Sequence, residues 1–229
     1  MFFYDPTFII LIPALLLAIW AQIKVSSAFS EYSKVRSLTG FTGSQLAMRL
    51  LDSAGIYDVR VESMPGHLTD HYDPRTKVVR LSAATYASPS VAALGVVAHE
   101  IGHAIQHAEK NPALVFRTIL APVASLGSSL AWILFIMGLI FALPALWQFG
   151  IILFALAVLF SLITLPVEYD ASRKAVKLLR ENIMMSEEEL KGVKKVLSAA
   201  ALTYVAATAM SVLQLLRMLL IAGAFGRRD

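Results

Sequence analysis

The sequence predicts a mainly α membrane protein: about four transmembrane helices with a small α+β domain at the membrane face. Three observations carry this. Residues of the hydrophobic types make up 57% of the chain and mean hydropathy is +0.67, far too apolar for an ordinary water-soluble domain. Four stretches approach the ~20 apolar residues that a bilayer crossing needs. Between the first and second of them lies a segment of about 90 residues with mixed helix and strand periodicity, closed by a run of histidines.

The first apolar stretch runs from about Pro6 to Ile23. No Lys or Arg precedes it and no small-residue cleavage site follows, so it reads as an uncleaved anchor. The second, about Ile119 to Leu143, and the third, about Ala145 to Leu165, are separated only by a turn at Pro144 and form a tight hairpin. The fourth, about Val196 to Ala222, is rich in Ala, Ser and Thr, which suits close helix packing. Its Arg217 lies near the end of the stretch, where it can snorkel. The expected organisation is an anchor (1–23), a domain at the membrane face (24–117), the hairpin (118–166), a further helix (167–195) and a last membrane helix with a short tail (196–229).

Charge sets the orientation. The net charge is +4 and the isoelectric point near 9.4. The basic residues cluster in 24–117 and 166–195, beside the apolar stretches, and the Pro144 turn carries none. By the positive-inside rule both basic regions face the cytoplasm, although Arg227 and Arg228 would then lie outside. This is the pattern of a lipid bilayer partner in a multi-pass bacterial cell-membrane protein, not of a nucleic-acid binder. With no cysteine in the chain, disulfides and thiolate metal ligands are excluded.

The segment 24–117 reads as a small folded domain. Thr42-Gly43-Ser44-Gln45 opens an amphipathic helix with Leu46, Ala47, Leu50 and Leu51 on one face and Gly55 just past its end. Val59-Arg60-Val61 and Lys77-Val78-Val79-Arg80-Leu81 read as strands, and a hairpin between them is expected across a polar loop from His67 to Asp73. Residues 77–82 could be an edge strand to which an extended polypeptide adds; a strand that only braces the next helix explains them as well. Ser88-Pro89-Ser90 starts that next helix, with a Ser cap and Pro early in the first turn.

On that helix stands His99-Glu100-Ile101-Gly102-His103, the His-Glu-x-x-His pattern of zinc peptidases. A chain of this composition, shuffled, would hold about 0.004 copies. A spacing of four puts His99 and His103 on one helix face, where both imidazoles can reach a single Zn²⁺. Glu100 stands beside the pair and can take a proton from a metal-activated water. His107 is eight residues from His99, about 12 Å along a straight helix, and no Gly follows His103 to turn the chain toward it. The third ligand therefore comes from another segment. The hairpin returns the chain to the side it left, which brings Pro166-Val167-Glu168-Tyr169-Asp170-Ala171-Ser172 to the histidines, and Glu168 is the candidate. It would open a helix with Pro166 near its start; the alternative is that Glu168 and Asp170 are only acids favoured by that helix's dipole. Asp170 and Ser172 are candidates to hold a ligating imidazole by its other nitrogen. His67, His71 and Tyr72 are candidate proton donors to an oxyanion, and a solvated loop explains them equally well. Ser186 followed by Glu187, Glu188 and Glu189 reads as a helix cap with acids in the first turn, structural rather than catalytic.

These residues together resemble the YugP-type neutral zinc metallopeptidases of bacterial membranes. The similarity takes in His99 to Ala104, the following hairpin, Pro166 to Ser172, the Asp70-His71-Tyr72-Asp73-Pro74 loop and Val79-Arg80-Leu81-Ser82, nearly the whole chain. It implies a zincin-like domain and a gluzincin-like site: one Zn²⁺ per chain, His99, His103 and Glu168 as ligands, Glu100 as base. It also implies kinship in layout with membrane-embedded prenyl-protein endopeptidases. Those carry an Asp four residues after the ligand Glu, where this chain has Ser172, with its acid at Asp170. The expected function is an integral membrane zinc endopeptidase acting on membrane-associated polypeptides. The rivals are a membrane scaffold or chaperone-like protein with a structural metal site, and a metal transporter or sensor. Glu100 argues against the first; the absence of His, Asp, Glu, Lys and Arg from 119–165 argues against the second.

Overall fold

A computed structural model describes residues 6–66 and 68–225, with the side chain of Phe225 left aside. After a 3₁₀ turn, Pro6–Leu11, come helices α1 (Ile12–Ser33) and α2 (Gly43–Ser53), then strands β1 (Arg60–Met64), β2 (His71–Asp73) and β3 (Val78–Ser82). Helices α3 (Ala83–Tyr86), α4 (Val91–Ala108), α5 (Pro112–Ile140), α6 (Pro144–Asn182) and α7 (Glu187–Phe225) follow. The protein is mainly α with one small mixed sheet, as its sequence predicts, and four of its helices are long and apolar enough to cross a membrane. The chain forms two compact units: one from residues 6–21, 115–165 and 203–225, the other from 22–114 and 166–202.

The first unit is built from apolar helix segments. Phe135, Met218 and Ala222 form its buried cluster, with Trp132, Trp147 and Phe154 packed around them. The helices of the hairpin approach closely because Gly150 stands where a Cβ would lie 2.7 Å from the Ala131 carbonyl oxygen. The guanidinium of Arg217 lies 5.6 Å from the Trp132 ring centroid and donates to Thr7 Oγ1 at 3.2 Å.

The second unit holds the histidine motif. Thr42 caps α2 in a capping box with Gln45, and Gly55 closes it at φ +68°, a backbone conformation glycine adopts without strain. The sheet order is β1-β3-β2. β1 pairs with β3 in parallel, Arg60 opposite Val78, so these two strands are not the hairpin expected from sequence. The hairpin is β2 with β3, His71 opposite Arg80. β2 is three residues long with only Tyr72 buried, too short to show alternation, and it occupies the end of what reads as a polar loop. β3 is therefore the central strand, fully covered at Val78, Val79 and Leu81, and 77–82 is not an edge. The core joins α2, β3 and α4 to α6 and α7 through Leu46, Leu50, Leu81, Leu94, Ile101, Leu179 and Leu190.

Two helix starts differ from expectation. Ser90, not Ser88, caps α4, accepting from the Ala93 N–H at 3.2 Å, and Pro89 lies just outside the helix. α6 does not begin at Pro166 but runs through it. Its buried residues Val167, Glu168, Ala171, Ala175 and Leu179 recur every one to four positions as a single stripe, and burying that stripe outweighs the ~3 kcal/mol that an interior proline costs. Ser186 caps α7, its Oγ accepting from the Glu189 N–H, and the Glu189 carboxylate accepts from Ser37 Oγ at 2.7 Å, a structural role.

The β2–β3 turn is held by Asp73. Its carboxylate accepts from Thr76 Oγ1 at 2.7 Å, from the Arg75 N–H at 2.9 Å and from Arg80 at 3.2 Å. The Thr76 bond leads in holding its pKa down to about 2, against an ordinary 3.8. A carboxyl depressed in the folded state stabilises the fold above its unfolded pKa and loses that contribution as pH falls through the folded value. Asp73→Asn should thus lower stability at pH 7 by roughly 1 kcal/mol or less, since the group is partly solvated, and the difference from wild type should vanish between pH 4 and pH 2 in urea unfolding of the detergent-solubilised protein.

Candidate metal centre

All the side chains of this centre belong to the second unit. α4 carries His99, Glu100 and His103; α6 carries Glu168. The two helices can approach because Gly102 faces α6: a Cβ there would lie 2.6 Å from the Ala171 carbonyl oxygen. At that separation Glu168 Oε2 comes within 3.2 Å of His99 Nε2 and 3.6 Å of His103 Nε2. The ligand atoms of the three residues lie within 4.8 Å of one another, the one such grouping among the described residues.

The donor set suits zinc. Two imidazole nitrogens and one carboxylate oxygen are the ligand types of catalytic zinc sites, and tetrahedral ligands at about 2.0–2.1 Å from a metal stand roughly 3.3 Å apart. The two distances from Glu168 to the imidazoles, 3.2 and 3.6 Å, are close to that spacing. Glu168 is 2% exposed, and a cation held among these three side chains would offset the desolvation of its buried carboxylate.

The remaining imidazole nitrogens are also engaged. His99 Nδ1 lies 3.2 Å from Ser172 Oγ, and His103 Nδ1 lies 2.9 Å from Gln106 Oε1. Gln106 is fully buried and its Nε2 donates both to the Val167 carbonyl and to Asp170 Oδ2, each at 2.9 Å. Ser172 thus touches an imidazole directly, whereas Asp170 reaches one only through Gln106. Nothing in the sequence pattern gives Gln106 a role. The available signal is the one amide side chain of α4, three residues past His103 and so on its face.

Glu100 is buried and does not touch this group; its Oε2 accepts from the backbone N–H of Tyr72 at 2.8 Å. Tyr72 also bridges to α4 through its hydroxyl, 2.7 Å from His107 Nδ1. Burial first, then the charges of Asp58 and Asp73, push the phenol's pKa up to about 12. His107 is therefore tied to β2 rather than to His99 and His103. His71 is exposed, its ring nitrogen 2.8 Å from the Thr69 carbonyl oxygen. Neither His71 nor the Tyr72 hydroxyl joins the His99–His103–Glu168 group, and His67 lies outside the described residues.

Residues 7–223 match the family described as "Putative neutral zinc metallopeptidase". The chain belongs to this family. It is also 50% identical over 210 residues to "Putative membrane protease YugP" of Bacillus subtilis (strain 168), a match covering 92% of this chain and 93% of that protein. No solved structure matches it. With four apolar helices of crossing length and a relative named as a membrane protease, the protein is a membrane protein of a zinc metallopeptidase family.

The helix approach at Gly102 is a sharp handle on the site. Gly102→Ala should force α4 and α6 apart, costing about 1–3 kcal/mol by overpacking, and should lower the zinc retained after dialysis, read by thermal unfolding and elemental analysis.

Proposed function

We propose that the chain is an integral membrane zinc-dependent endopeptidase, with His99, His103 and Glu168 as metal ligands and Glu100 as general base. The observation that carries this is the meeting of His99 and His103 with Glu168, beside a buried Glu100 on the same helix. Zinc, when bound there, supplies an acidified water and a Lewis acid for the scissile carbonyl.

The chain's own residues do the rest. One oxygen of Glu100 is steadied by the Tyr72 N–H, which leaves the other to take the proton of the attacking water and deliver it to the leaving amine. Ser172 and Gln106 hold the imidazoles by their Nδ1 atoms, so that the Nε2 atoms converge on Glu168. β2, an edge of the described sheet and in contact with Glu100, is the strand on which an extended substrate would lie. It also carries His71 and Tyr72, from which the proton donor to the oxyanion would be drawn. Substrates are membrane-associated or misfolded polypeptides, and the peptidase unit faces the cytoplasm of a bacterial cell, following the clustered Lys and Arg of 24–117 and 166–195.

Elemental analysis and casein cleavage on detergent-purified variants test this together. Wild type should hold about one zinc per chain and cleave casein; Glu168→Ala should lose the metal; Glu100→Gln should keep it and lose a factor of about 10²–10⁴ in rate. Glu168→Ala retaining both metal and activity would refute the ligand assignment. Glu100→Gln retaining activity would refute the base.

A further inference from the structure

We propose that Gln106 is a positioning residue that fixes His103 as the Nδ1–H tautomer, with its own amide oriented by the Val167 carbonyl and Asp170. This rests on the reading of His103 as a metal ligand, but its core statement concerns the chain alone.

Donors and acceptors fix the orientation of the amide. A side-chain amide has an accepting oxygen and a donating nitrogen, and its orientation follows from its partners. The Val167 carbonyl can only accept. The Gln106 nitrogen must therefore point to it, and the second N–H goes to Asp170 Oδ2, also at 2.9 Å. Both amide protons are then spent, and the oxygen is what faces His103 Nδ1 at 2.9 Å. An oxygen that can only accept requires a ring nitrogen that donates. His103 is thus protonated at Nδ1, and in the neutral ring the lone pair sits on Nε2, the atom 3.6 Å from Glu168 Oε2.

The contrast with His99 sharpens the point. Its Nδ1 meets the Ser172 hydroxyl at 3.2 Å, and a hydroxyl rotates to donate or accept, so it orients the ring without choosing a tautomer. The amide leaves no such freedom. Gln106 is fully buried, so water does not compete for its bonds, and Val167 lies next to Glu168 in α6. The same amide that sets the His103 tautomer therefore ties His103 to the backbone beside the carboxylate it faces. Gln106 does not touch the reacting atoms; it acts through His103.

The test uses full-length protein in detergent, stripped of metal by chelation, with ¹⁵N-labelled histidine at pH 8. Wild type should show His103 protonated at Nδ1. A His103 protonated at Nε2 and bare at Nδ1 overturns the proposal without any variant being made. Gln106→Met should remove the preference and weaken zinc binding, measured by competition with a chromophoric chelator, by about 10–100-fold. Equal affinity and an unchanged tautomer in Gln106→Met would overturn the proposal even in a well-folded protein. Should wild type bind no zinc at all, the ligand reading fails, and the tautomer measurement still decides the role of Gln106.

Discussion

The close approach of α4 to α6 at Gly102 is the constraint on which the rest of the centre depends. A side chain on a second helix reaches the histidines only over its own length, and Glu168 is short. Only with backbone nearly against backbone, so close that a Cβ at Gly102 would stand 2.6 Å from the Ala171 carbonyl oxygen, does its carboxylate come within 3.2 Å of His99. The same proximity lets Gln106 bond a main-chain carbonyl of the other helix and brings Ser172 to His99. Small residues on both helices, Gly102 and Ala171, thereby determine where four polar side chains can meet.

That arrangement is costly, since Glu100, His103, Gln106 and Glu168 are all buried. Buried polar groups are tolerated when bonded and expensive otherwise. The chain answers with a network spanning α4, α6 and β2, in which Glu100 is held by the Tyr72 backbone and the Gln106 amide makes three contacts. The apolar core of the unit, from Leu46 to Leu190, supplies the stability against which this is set.

Different features were legible to different degrees. His99, Glu100 and His103 could be read because their relation is local: four residues on a helix fix a face whatever surrounds it. Glu168 could be named because a hairpin must return the chain to the side it left. Gln106 could not, because its partners include a backbone carbonyl 61 residues away that has no sequence signature. The strand pairing departs from expectation for a related reason. Neighbouring strands separated by a polar loop ordinarily form a hairpin, but a three-residue strand hidden at the end of that loop takes the hairpin place and leaves β1 to pair in parallel. Pro166 misled because local propensity favours a helix start there, while the buried stripe of α6 continues through it.

The separation of Glu168 from His103 along the chain has a consequence in time. The two histidines are adjacent in one helix and emerge from the ribosome together, but the carboxylate follows 65 residues later, beyond the whole apolar hairpin. At ordinary synthesis speeds that is an interval of roughly 3–13 s. During it the nascent chain holds the histidines and Glu100 without the residue that brings them into a single group. The centre is completed only by a chain that has already made the apolar segments between them. A polypeptide truncated before α6 reaches Glu168 would carry the full His-Glu-x-x-His signature and still lack the triad, so synthesis order itself delays the site's appearance.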